Sequence, residues 1–272
     1  MARWVHSYWS RPALCNRWGI DSRNQTITNM WYFATSVAYL KRLNKEVVLH
    51  TDDFGKSLFS HIPYDKVFTT LNEIPTWMHP SIFACGKMYA MKHEPLDSIH
   101  IDGDVFIKSE ECIKDRKPSE LLIQNIENAE AYRDSFNVIS HFDFPEWSNK
   151  ELKHSYNTGI LSFGDPDFKN EFLKTYFKMS EKISKDKTCR EMLYAGKYLS
   201  PDLILEQKFI YDLAQSLKTP VKTIDDYKYY QHVLGSEKYD QLSICKRVLK
   251  KLNPELYSAC ELKEIELENG NW

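Results

Sequence analysis

The chain lacks the cysteine spacing and the long apolar runs that place many sequences in a structural class. Its 272 residues contain six cysteines, and none of them belongs to a CxxC pair. Neither a zinc framework nor a disulfide scaffold is therefore indicated. No apolar run is long enough to span a bilayer, and the N-terminus lacks the apolar stretch of a signal peptide. We expect a protein of the cytoplasm with reduced thiols.

Neither sign of charge is in excess, because 36 Lys and Arg residues face 38 Asp and Glu residues and the formal net charge is -2. Affinity for the phosphate backbone of a nucleic acid requires a surplus of basic residues, so we expect no nucleic-acid partner. A hydrophobic share of 42% supports a sizeable core and excludes an acidic disordered chain. Aromatic residues make up 14%, enough to serve both a core and stacking sites.

The N-terminal part of the chain shows a strand, helix, strand order. A short apolar stretch over residues 3–8 predicts a first strand, and residues 10–12 predict a loop after it. Apolar positions recur at helical spacing over residues 28–43, and EVVLH at residues 46–50 predicts a second buried strand. This order is typical of a parallel βαβ unit, whose ligand-facing loops follow the carboxyl ends of the strands.

The remaining sequence continues this α/β pattern. We predict further strands at residues 66–68, 98–107 and 156–163, and helices at residues 168–179 and 204–217. Residues 108–130 are charged and poorly periodic, which predicts loop and helix on the surface. Since no Pro- or Gly-rich linker divides the chain, we expect one α/β domain over residues 1–240 with a mostly parallel central sheet flanked by helices. Residues 241–272 then form a helical tail, packed on the domain or peripheral to it.

Two carboxylates, Asp102 and Asp104, flank Gly103 inside an otherwise apolar strand-like segment. Placing them so close together is costly through desolvation and mutual repulsion unless a cation neutralises them. A divalent ion supplies that charge, and a glycine between them lets the backbone bend so that both side chains converge. The alternative is a simple Asp-Gly hairpin turn. An EF-hand is excluded, because Phe106 and Ile107 occupy positions that should carry a ligand and the required glycine.

An HxxGxxK motif lies far downstream, at His232, Gly235 and Lys238. One imidazole joined to the two carboxylates gives a mixed nitrogen and oxygen donor set suited to Mn²⁺, with positions left open for phosphate oxygens. The lysine, after a flexible glycine, is able to reach the same phosphates as a point charge. The alternative interpretation is a polar surface turn ahead of a C-terminal helix.

Four segments carry a resemblance to a known family: IHIDGDVFI at residues 99–107, YNTGILSF at 156–163, LEQKFI at 205–210 and HVLGSEK at 232–238. With them the chain resembles the GT-A-fold glycosyltransferases and, more narrowly, the retaining family 8 enzymes, the glycogenin and lipopolysaccharide galactosyltransferase group. The resemblance implies a single Rossmann-like GT-A domain. It also implies metal-dependent transfer of a hexose from a nucleotide diphosphate sugar to an acceptor hydroxyl, with retention of the anomeric configuration.

The same resemblance implies roles for individual residues. Asp102, Asp104 and His232 would hold Mn²⁺, or Mg²⁺, on the donor diphosphate, and Glu206 and Gln207 would act as catalytic residues near the anomeric carbon. The donor-binding residues it implies are Lys87, Gly103, Asn157, Gly159, Gly235 and Lys238. The expected donor is a UDP-sugar, and the acceptor is a saccharide or a lipid-linked saccharide in surface polysaccharide or glycoconjugate synthesis.

Residues at the ends of the first two strands extend the predicted donor pocket. Ser7, Tyr8 and Trp9 end the first strand, where an aromatic ring is able to stack on a base; core packing is the alternative. Asp52 closes the second strand and is a candidate contact for ribose or base, with a helix cap or turn as its alternative. The aromatic run HFDFPEW at residues 141–147 is a further candidate for stacking.

Basic residues alternate with apolar ones in the predicted tail, at Lys246, Arg247, Lys250 and Lys251. An amphipathic basic helix is able to rest on an anionic membrane surface, which predicts a weak peripheral contact with the inner face of the membrane. The acidic residues that follow favour the alternative, a surface helix that covers the domain.

Two other functions stay open at the level of sequence. One is a sugar-phosphate nucleotidyltransferase, a class that typically opens with a Gly-rich loop, although residues 7–20 contain only Gly19. The other is a non-catalytic sugar- or protein-binding module on the same fold. For the transferase, two mechanisms compete. In one, the acceptor attacks on the same face as the leaving phosphate, which takes the acceptor proton; in the other, a covalent intermediate forms on Glu206.

Overall fold

The structure is a computed structural model that describes residues 2–15, 21–195, 199–224 and 226–270. Within these residues no helix combines the length and the apolar character needed to cross a membrane. All six cysteines lie in the described ranges and are free thiols.

A seven-stranded sheet forms the centre of the molecule. The described residues form nine strands in all, which are β1 Trp4–Tyr8, β2 Val47–Thr51, β3 Lys66–Phe68, β4 Ile99–Ile101, β5 Val105–Ile107, β6 Leu121–Asn128, β7 His154–Ser162, β8 Val221–Thr223 and β9 Tyr230–His232. The order in the large sheet is β3-β2-β1-β4-β7-β6-β8, and β5 pairs with β9 in a second, two-stranded sheet. Strand β7 runs antiparallel to both of its neighbours, and the other pairs of the large sheet are parallel.

Helices cover both faces of this sheet. The helices of the described residues are α1 Ser10–Leu14, α2 Ser22–Arg42, α3 Asp53–Leu58, α4 Cys85–His93, α5 Arg133–Ile139, α6 Pro166–Lys185, α7 Lys187–Ala195, α8 Phe209–Leu217, α9 Glu237–Asp240, α10 Leu242–Leu252 and α11 Pro254–Glu268. A π-helix at Leu203–Lys208 leads into α8, and short 3₁₀ turns lie at Thr70–Glu73, Glu110–Ile113 and Ala129–Tyr132. The predicted fold class is confirmed: a mixed α/β, Rossmann-like architecture with a mostly parallel sheet and a helical C-terminal region.

The hydrophobic core consists of two main clusters, which lie on opposite faces of the sheet. Alternate strand residues point to opposite faces, so Leu121 and Ile123 join one cluster and Leu122 joins the other. Helices α4, α6 and α8 cover the first face, and α2 covers the second together with α10 and α11. In the C-terminal helices Leu249 and Cys260 are fully buried, so both helices contribute to the core.

Several predicted boundaries are wrong. Residues 10–12 begin α1 rather than a loop. Residues 98–107 form two strands that belong to different sheets. The predicted surface segment 108–130 contains β6, whose residues Leu121–Gln124 are buried between β7 and β8. Polar residues in the second half of β6 interrupt its apolar pattern, and pairing on both sides stabilises the strand despite them.

The buried imidazole of His6 on β1 provides a test of the folded core. Its Nδ1 lies 2.9 Å from the Tyr64 hydroxyl and its Nε2 lies 3.1 Å from Ser36 Oγ. Burial lowers the pKa of His6 to about 3, although the negative charge of Asp104 opposes the shift. The unfolded chain binds a proton at this histidine below a pH of about 6.5. Between these values acid therefore favours the unfolded chain.

We expect the stability of the wild-type protein, relative to His6→Gln, to fall in acid by about 1.4 kcal/mol for each pH unit in this window. Glutamine fills a similar space and does not titrate, so the contributions of other groups cancel in the comparison. Urea unfolding of both proteins at a series of pH values measures the difference. A difference in unfolding free energy that does not change with pH would contradict the assignment of a neutral, buried His6.

Candidate metal and donor site

A cavity of about 690 Å³ opens at the carboxyl ends of β1 and β4. The chain proceeds from β1 to β2 and β3 on one side, while β4 lies on the other side of β1. Ligands of open α/β sheets bind at such a reversal of strand order. All predicted site residues except Asp52 line the cavity: Ser7, Tyr8, Trp9, Lys87, Asp102, Gly103, Asp104, Asn157, Gly159, Glu206, Gln207, His232, Gly235 and Lys238.

The turn Asp102-Gly103-Asp104 joins β4 to β5. Because β4 belongs to the large sheet and β5 to the small one, the two strands do not form a hairpin, and that alternative is wrong. The Asp102 amide donates to the Gly159 carbonyl at 2.8 Å, which holds the turn against β7. A Cβ on Gly103 would lie 2.0 Å from a ring carbon of Phe33, so only glycine fits in this turn.

Strand pairing brings His232 to the carboxylates. In the β5–β9 pair His232 lies opposite Val105, and the amide of Val233 donates to the Asp104 carbonyl at 3.1 Å. His232 Nε2 then lies 3.5 Å from Asp104 Oδ1. One potential ligand atom from each of Asp102, Asp104 and His232 falls within 4.8 Å of the others.

The hydrogen bonding of His232 suits metal coordination. Its Nδ1 lies 2.9 Å from the side-chain oxygen of Gln124, which accepts a hydrogen bond from the ring N–H. This contact assigns the hydrogen to Nδ1 and leaves the lone pair of Nε2 for a metal. Two carboxylates and one correctly oriented imidazole therefore fit a divalent cation. The sequence interpretation missed Gln124, because it placed residues 108–130 at the surface.

Two lysines neutralise the carboxylates. Lys87 Nζ lies 2.9 Å from Asp102 Oδ1 and 2.7 Å from Glu206 Oε1, and it donates to the Thr158 carbonyl at 2.9 Å. Burial disfavours a charged lysine, but both carboxylates outweigh this effect and raise the pKa of Lys87 above its ordinary value. The second lysine, Lys238, forms an ion pair with Asp104.

The pKa values of two of these carboxyl groups, Asp104 and Glu206, are shifted in opposite directions. Burial would raise the pKa of Asp104, yet the ammonium group of Lys238 holds it well below its usual range. For Glu206, which is 2% exposed, burial is the largest effect and the pKa is raised, although Lys87 works against the shift. Asp104 is thus held as a carboxylate, whereas Glu206 depends on Lys87 for its charge.

Glu206 and Gln207 lie on the π-helix, a local widening that is frequent at functional sites. Glu206 Oε1 accepts from the Thr158 hydroxyl at 2.7 Å. Gln207 is partly exposed, and its side-chain oxygen lies 2.6 Å from the Tyr132 hydroxyl. The helix therefore directs one buried and one accessible polar side chain to the cavity.

A hydrogen-bonded network that sequence reasoning missed supports this side of the cavity. Glu127 Oε1 accepts from the Asn157 side chain at 2.6 Å, and Glu127 Oε2 lies 2.6 Å from the Tyr132 hydroxyl. Asn157 Oδ1 in turn accepts from the Gly159 amide at 2.9 Å. Through these contacts Glu127 connects Asn157 with Gln207. The carboxylate at the centre of this network belongs to β6, the unrecognised strand.

Two of the predicted donor contacts have other roles. Asp52 lies outside the cavity lining, where it caps α3 by accepting from the Gly55 amide at 2.9 Å and accepts from the Ser10 amide at 2.8 Å. Its alternative interpretation, a helix cap, is the one that the structure supports. In the run at residues 141–147, Phe144 and Trp147 contact Phe209 of the core rather than the cavity.

The rings of Tyr8 and Trp9 are only marginally exposed to the cavity. Tyr8 is 5% exposed and contacts Phe33 and Phe59 edge-on, and Trp9 is 8% exposed with the Arg11 guanidinium over its ring. Both rings therefore belong mainly to the core, although both residues line the cavity. Ser7 lines the cavity and its hydroxyl lies 2.8 Å from His100 Nε2.

We expect Gly159→Ala to weaken metal binding at least about tenfold while the protein stays folded. The new Cβ would lie 2.5 Å from Gln124 Oε1 and 2.6 Å from His232 Cε1. Both are side-chain atoms, so they move apart and the orientation of His232 is lost, a change that typically reduces metal affinity 10–100-fold. Mn²⁺ titration followed by calorimetry measures the effect.

Gly235→Ala is the comparison for this substitution. Gly235 also lines the cavity and has a φ of 55°, but an added Cβ meets open space. We expect a loss of about 1 kcal/mol in stability from backbone strain, with unchanged Mn²⁺ affinity. Equal Mn²⁺ affinities for Gly159→Ala and the wild-type protein would show that His232 is not a ligand.

A comparison with protein families matches residues 2–251 to DUF6734, a family of unknown function. The chain belongs to DUF6734. The matched range of DUF6734 includes the whole candidate site, from Ser7 to Lys238. No curated protein sequence matches the chain significantly.

Among solved structures, the apo structure of the bifunctional glycosyltransferase WbbM is similar to this member of DUF6734, with 11% sequence identity and a TM-score of 0.43. The similarity covers 94% of the present chain and 51% of that one, so the chain spans about half the length of WbbM. The narrower resemblance to the retaining family 8 enzymes stays a prediction.

Proposed function

We propose that this DUF6734 protein is a metal-dependent glycosyltransferase that moves a hexose from a nucleotide diphosphate sugar to an acceptor hydroxyl. One observation carries the proposal: Asp102, Asp104 and His232 converge in the same cavity as two lysines, Lys87 and Lys238. Such a combination of metal ligands and fixed cations suits a dianionic diphosphate. The cavity, at about 690 Å³, is of a size that accommodates a nucleotide sugar.

The first task of the site is to stabilise charge on the departing diphosphate. A Mn²⁺ or Mg²⁺ ion held by Asp102, Asp104 and His232 would supply Lewis-acid stabilisation of that charge. Lys238 is 27% exposed at its side chain, and its contact with Asp104 places an ammonium group beside the proposed metal ligands, from where it would donate to a phosphate oxygen. Lys87 is more deeply buried and holds the Asp102 carboxylate in position.

The second task is to place the anomeric carbon and the acceptor. We assign Gln207 to direct contact with the transferred sugar, since it lines the cavity and is partly exposed. Asn157 also lines the cavity, and its amide is oriented by Glu127. Glu206 is held by Lys87 and Thr158, which suits a positioning residue better than a mobile nucleophile.

In the reaction that follows from these assignments, the bond between the anomeric carbon and the phosphate oxygen breaks as the bond to the acceptor oxygen forms on the same face. The acceptor proton goes to the departing phosphate oxygen, so no strong general base is required. The anomeric configuration is retained. Isolation of a stable glycosyl adduct on Glu206 would contradict this route and favour a covalent intermediate.

The proposal extends to the donor, the acceptor and the setting of the reaction. We propose a UDP-sugar as donor and a saccharide or lipid-linked saccharide as acceptor, in polysaccharide or glycoconjugate synthesis. A lipid-linked acceptor requires proximity to a membrane. On α10, Lys246 forms an ion pair with Glu264 and Lys250 lies over the Tyr257 ring. These two basic residues therefore contribute to the packing of α10 against α11. Arg247 and Lys251 remain exposed for a weak peripheral contact.

The test is a panel of UDP-, GDP- and CMP-sugars, each added with Mn²⁺, followed by thermal shift and by slow hydrolysis of the donor. We expect one donor to stabilise the protein only when Mn²⁺ is present, and to be hydrolysed slowly. Turnover of a nucleoside triphosphate with a sugar phosphate would instead identify a nucleotidyltransferase. The absence of metal-dependent donor binding across the panel would leave the binding module as the better explanation.

A further inference from the structure

A second group of metal-ligating side chains lies outside the cavity, at His141, Asp186 and Cys189. One potential ligand atom from each residue falls within 4.8 Å of the others, and His141 Nε2 lies 4.0 Å from Cys189 Sγ. In a tetrahedral zinc site, Zn–S and Zn–N bonds of ordinary length separate these two atoms by about 3.6 Å. A shift of a few tenths of an ångström therefore brings the imidazole and the thiol to coordination distance.

The backbone positions these residues independently of any metal. His141 follows α5, in a turn that the Phe142 amide closes by donating to the Ile139 carbonyl at 3.1 Å. Asp186 joins α6 to α7: its amide donates to the Lys182 carbonyl at 2.9 Å, and its Oδ1 accepts from the Cys189 amide at 2.8 Å. A carboxylate has lone pairs enough to cap a helix and to bind a cation.

The three side chains differ in their exposure to solvent. Cys189 is fully buried, Asp186 is partly buried and His141 is exposed. A cation from solvent reaches the thiol past the imidazole. The Cys189 thiol donates to the Val138 carbonyl at 3.2 Å and gives up its proton to solvent when a metal binds. The resulting thiolate, together with the Asp186 carboxylate, balances the two charges of the ion.

We propose that His141, Asp186 and Cys189 form a second metal site, for Zn²⁺, with a water molecule in the fourth position. A thiolate, an imidazole and a carboxylate form a set that Zn²⁺ accepts readily, whereas Mn²⁺ and Mg²⁺ prefer oxygen ligands. The first site has no sulfur, so the two sites select different metals. Bound Zn²⁺ joins the turn after α5 to the junction between α6 and α7. Helix α5 is also connected to the chain just before the π-helix, because the Ser200 amide donates to Ser135 Oγ at 3.1 Å. The proposal does not depend on the proposed transfer reaction.

Cobalt is the probe that separates the two sites, because a thiolate ligand adds a charge-transfer absorption that carboxylate and imidazole ligands cannot produce. We expect Co²⁺ added to the metal-free full-length protein to give this absorption with one equivalent bound, and Zn²⁺ to abolish it by displacement. The absorption should persist in Asp104→Asn, which removes a ligand of the first site. It should also persist in Cys112→Ser, the control for a buried cysteine elsewhere.

Two variants decide the outcome. Cys189→Ser should lose the absorption, and His141→Ala should bind Zn²⁺ about 100-fold more weakly. His141 is exposed, so its replacement leaves the core intact and stays informative if Cys189→Ser folds poorly. In the Asp104→Asn background, Zn²⁺ should raise the melting temperature by a few degrees, and His141→Ala should remove this rise. No thiolate absorption in the wild-type protein, or an absorption that survives Cys189→Ser, would overturn the proposal. So would unchanged Zn²⁺ affinity in His141→Ala.

Discussion

Asp104→Asn is expected to abolish Mn²⁺-dependent donor binding and to reduce donor hydrolysis by about 100-fold or more. Asp104 is 8% exposed and contacts both His232 and Lys238, so it connects the proposed metal ligands to the lysine that we propose binds phosphate. Lewis-acid stabilisation of a leaving phosphate amounts to several kcal/mol, and each 1.36 kcal/mol corresponds to about tenfold in rate. Asparagine retains the shape of the side chain and removes its charge, which isolates the electrostatic contribution.

Asp115→Asn is the matched control for this experiment, because Asp115 is exposed and lies outside the cavity. It should retain Mn²⁺ affinity and hydrolysis close to those of the wild-type protein. Calorimetric titration with Mn²⁺ and a hydrolysis assay with the best donor give both readouts. If Asp104→Asn retained hydrolysis within tenfold of the wild-type rate, the assignment of Asp104 as a metal ligand would be wrong.

Lys87→Met is expected to lower the free energy of unfolding of the metal-free protein by about 3 kcal/mol. The Lys87 ammonium lies between Asp102 and Glu206, and the Glu206 side chain is only 3% exposed. Removing one partner of a buried ion pair typically costs 3–5 kcal/mol, since the other charge stays buried without compensation. Methionine fills the space of the lysine stem, so the effect of lost packing is small. Urea unfolding in the presence of a chelator measures the change.

A double variant separates this electrostatic explanation from a packing defect. Glu206→Gln removes the carboxylate that Lys87 neutralises, so Lys87→Met with Glu206→Gln should recover more than half of the lost stability. Lys92→Met changes an exposed lysine on the same helix and should have little effect. A double variant as unstable as the two single changes added together would show that Lys87 acts through packing alone.

The motifs of the site were recognisable because each is short and breaks a local pattern. Two carboxylates inside the apolar segment around Gly103 are costly without a partner, and a histidine and a lysine on either side of Gly235 supply the complementary chemistry. These residues line one cavity in the structure. The parallel βαβ start of the sheet was equally predictable, since its helix and strands differ in hydrophobic period.

Strand β6 shows where the pattern was insufficient. Its buried half, Leu121–Gln124, precedes Asn125, Glu127 and Asn128, and polar residues of this kind are typical of a loop. The strand forms because β7 and β8 pair with it on either side, and β8 lies about a hundred residues further along the chain. Gln124 and Glu127, which orient His232 and Asn157, therefore escaped notice.

Asp52 and the proposed second metal site show two further cases in which the local sequence pattern was insufficient. Asp52 follows a strand where a ligand contact was reasonable, and the start of α3 beside it makes it a cap instead. His141 and Cys189 show no metal-binding spacing, yet the α5–α7 contact brings the imidazole to 4.0 Å from the thiol. A local sequence pattern indicates which helix or strand a segment favours. The roles of Asp52, His141 and Cys189 depend instead on a neighbouring element.

The sequence by itself determined the chemistry that is available at the site: carboxylates beside Gly103, an imidazole and a lysine near Gly235, and an acid-amide pair at Glu206. Only the tertiary structure decided which of these groups meet, which are buried and which take a structural role. The physical reason is the distance over which each effect acts. Charge, donor type and helical or strand period belong to a few consecutive residues, whereas burial and convergence depend on strands and helices paired across the whole chain.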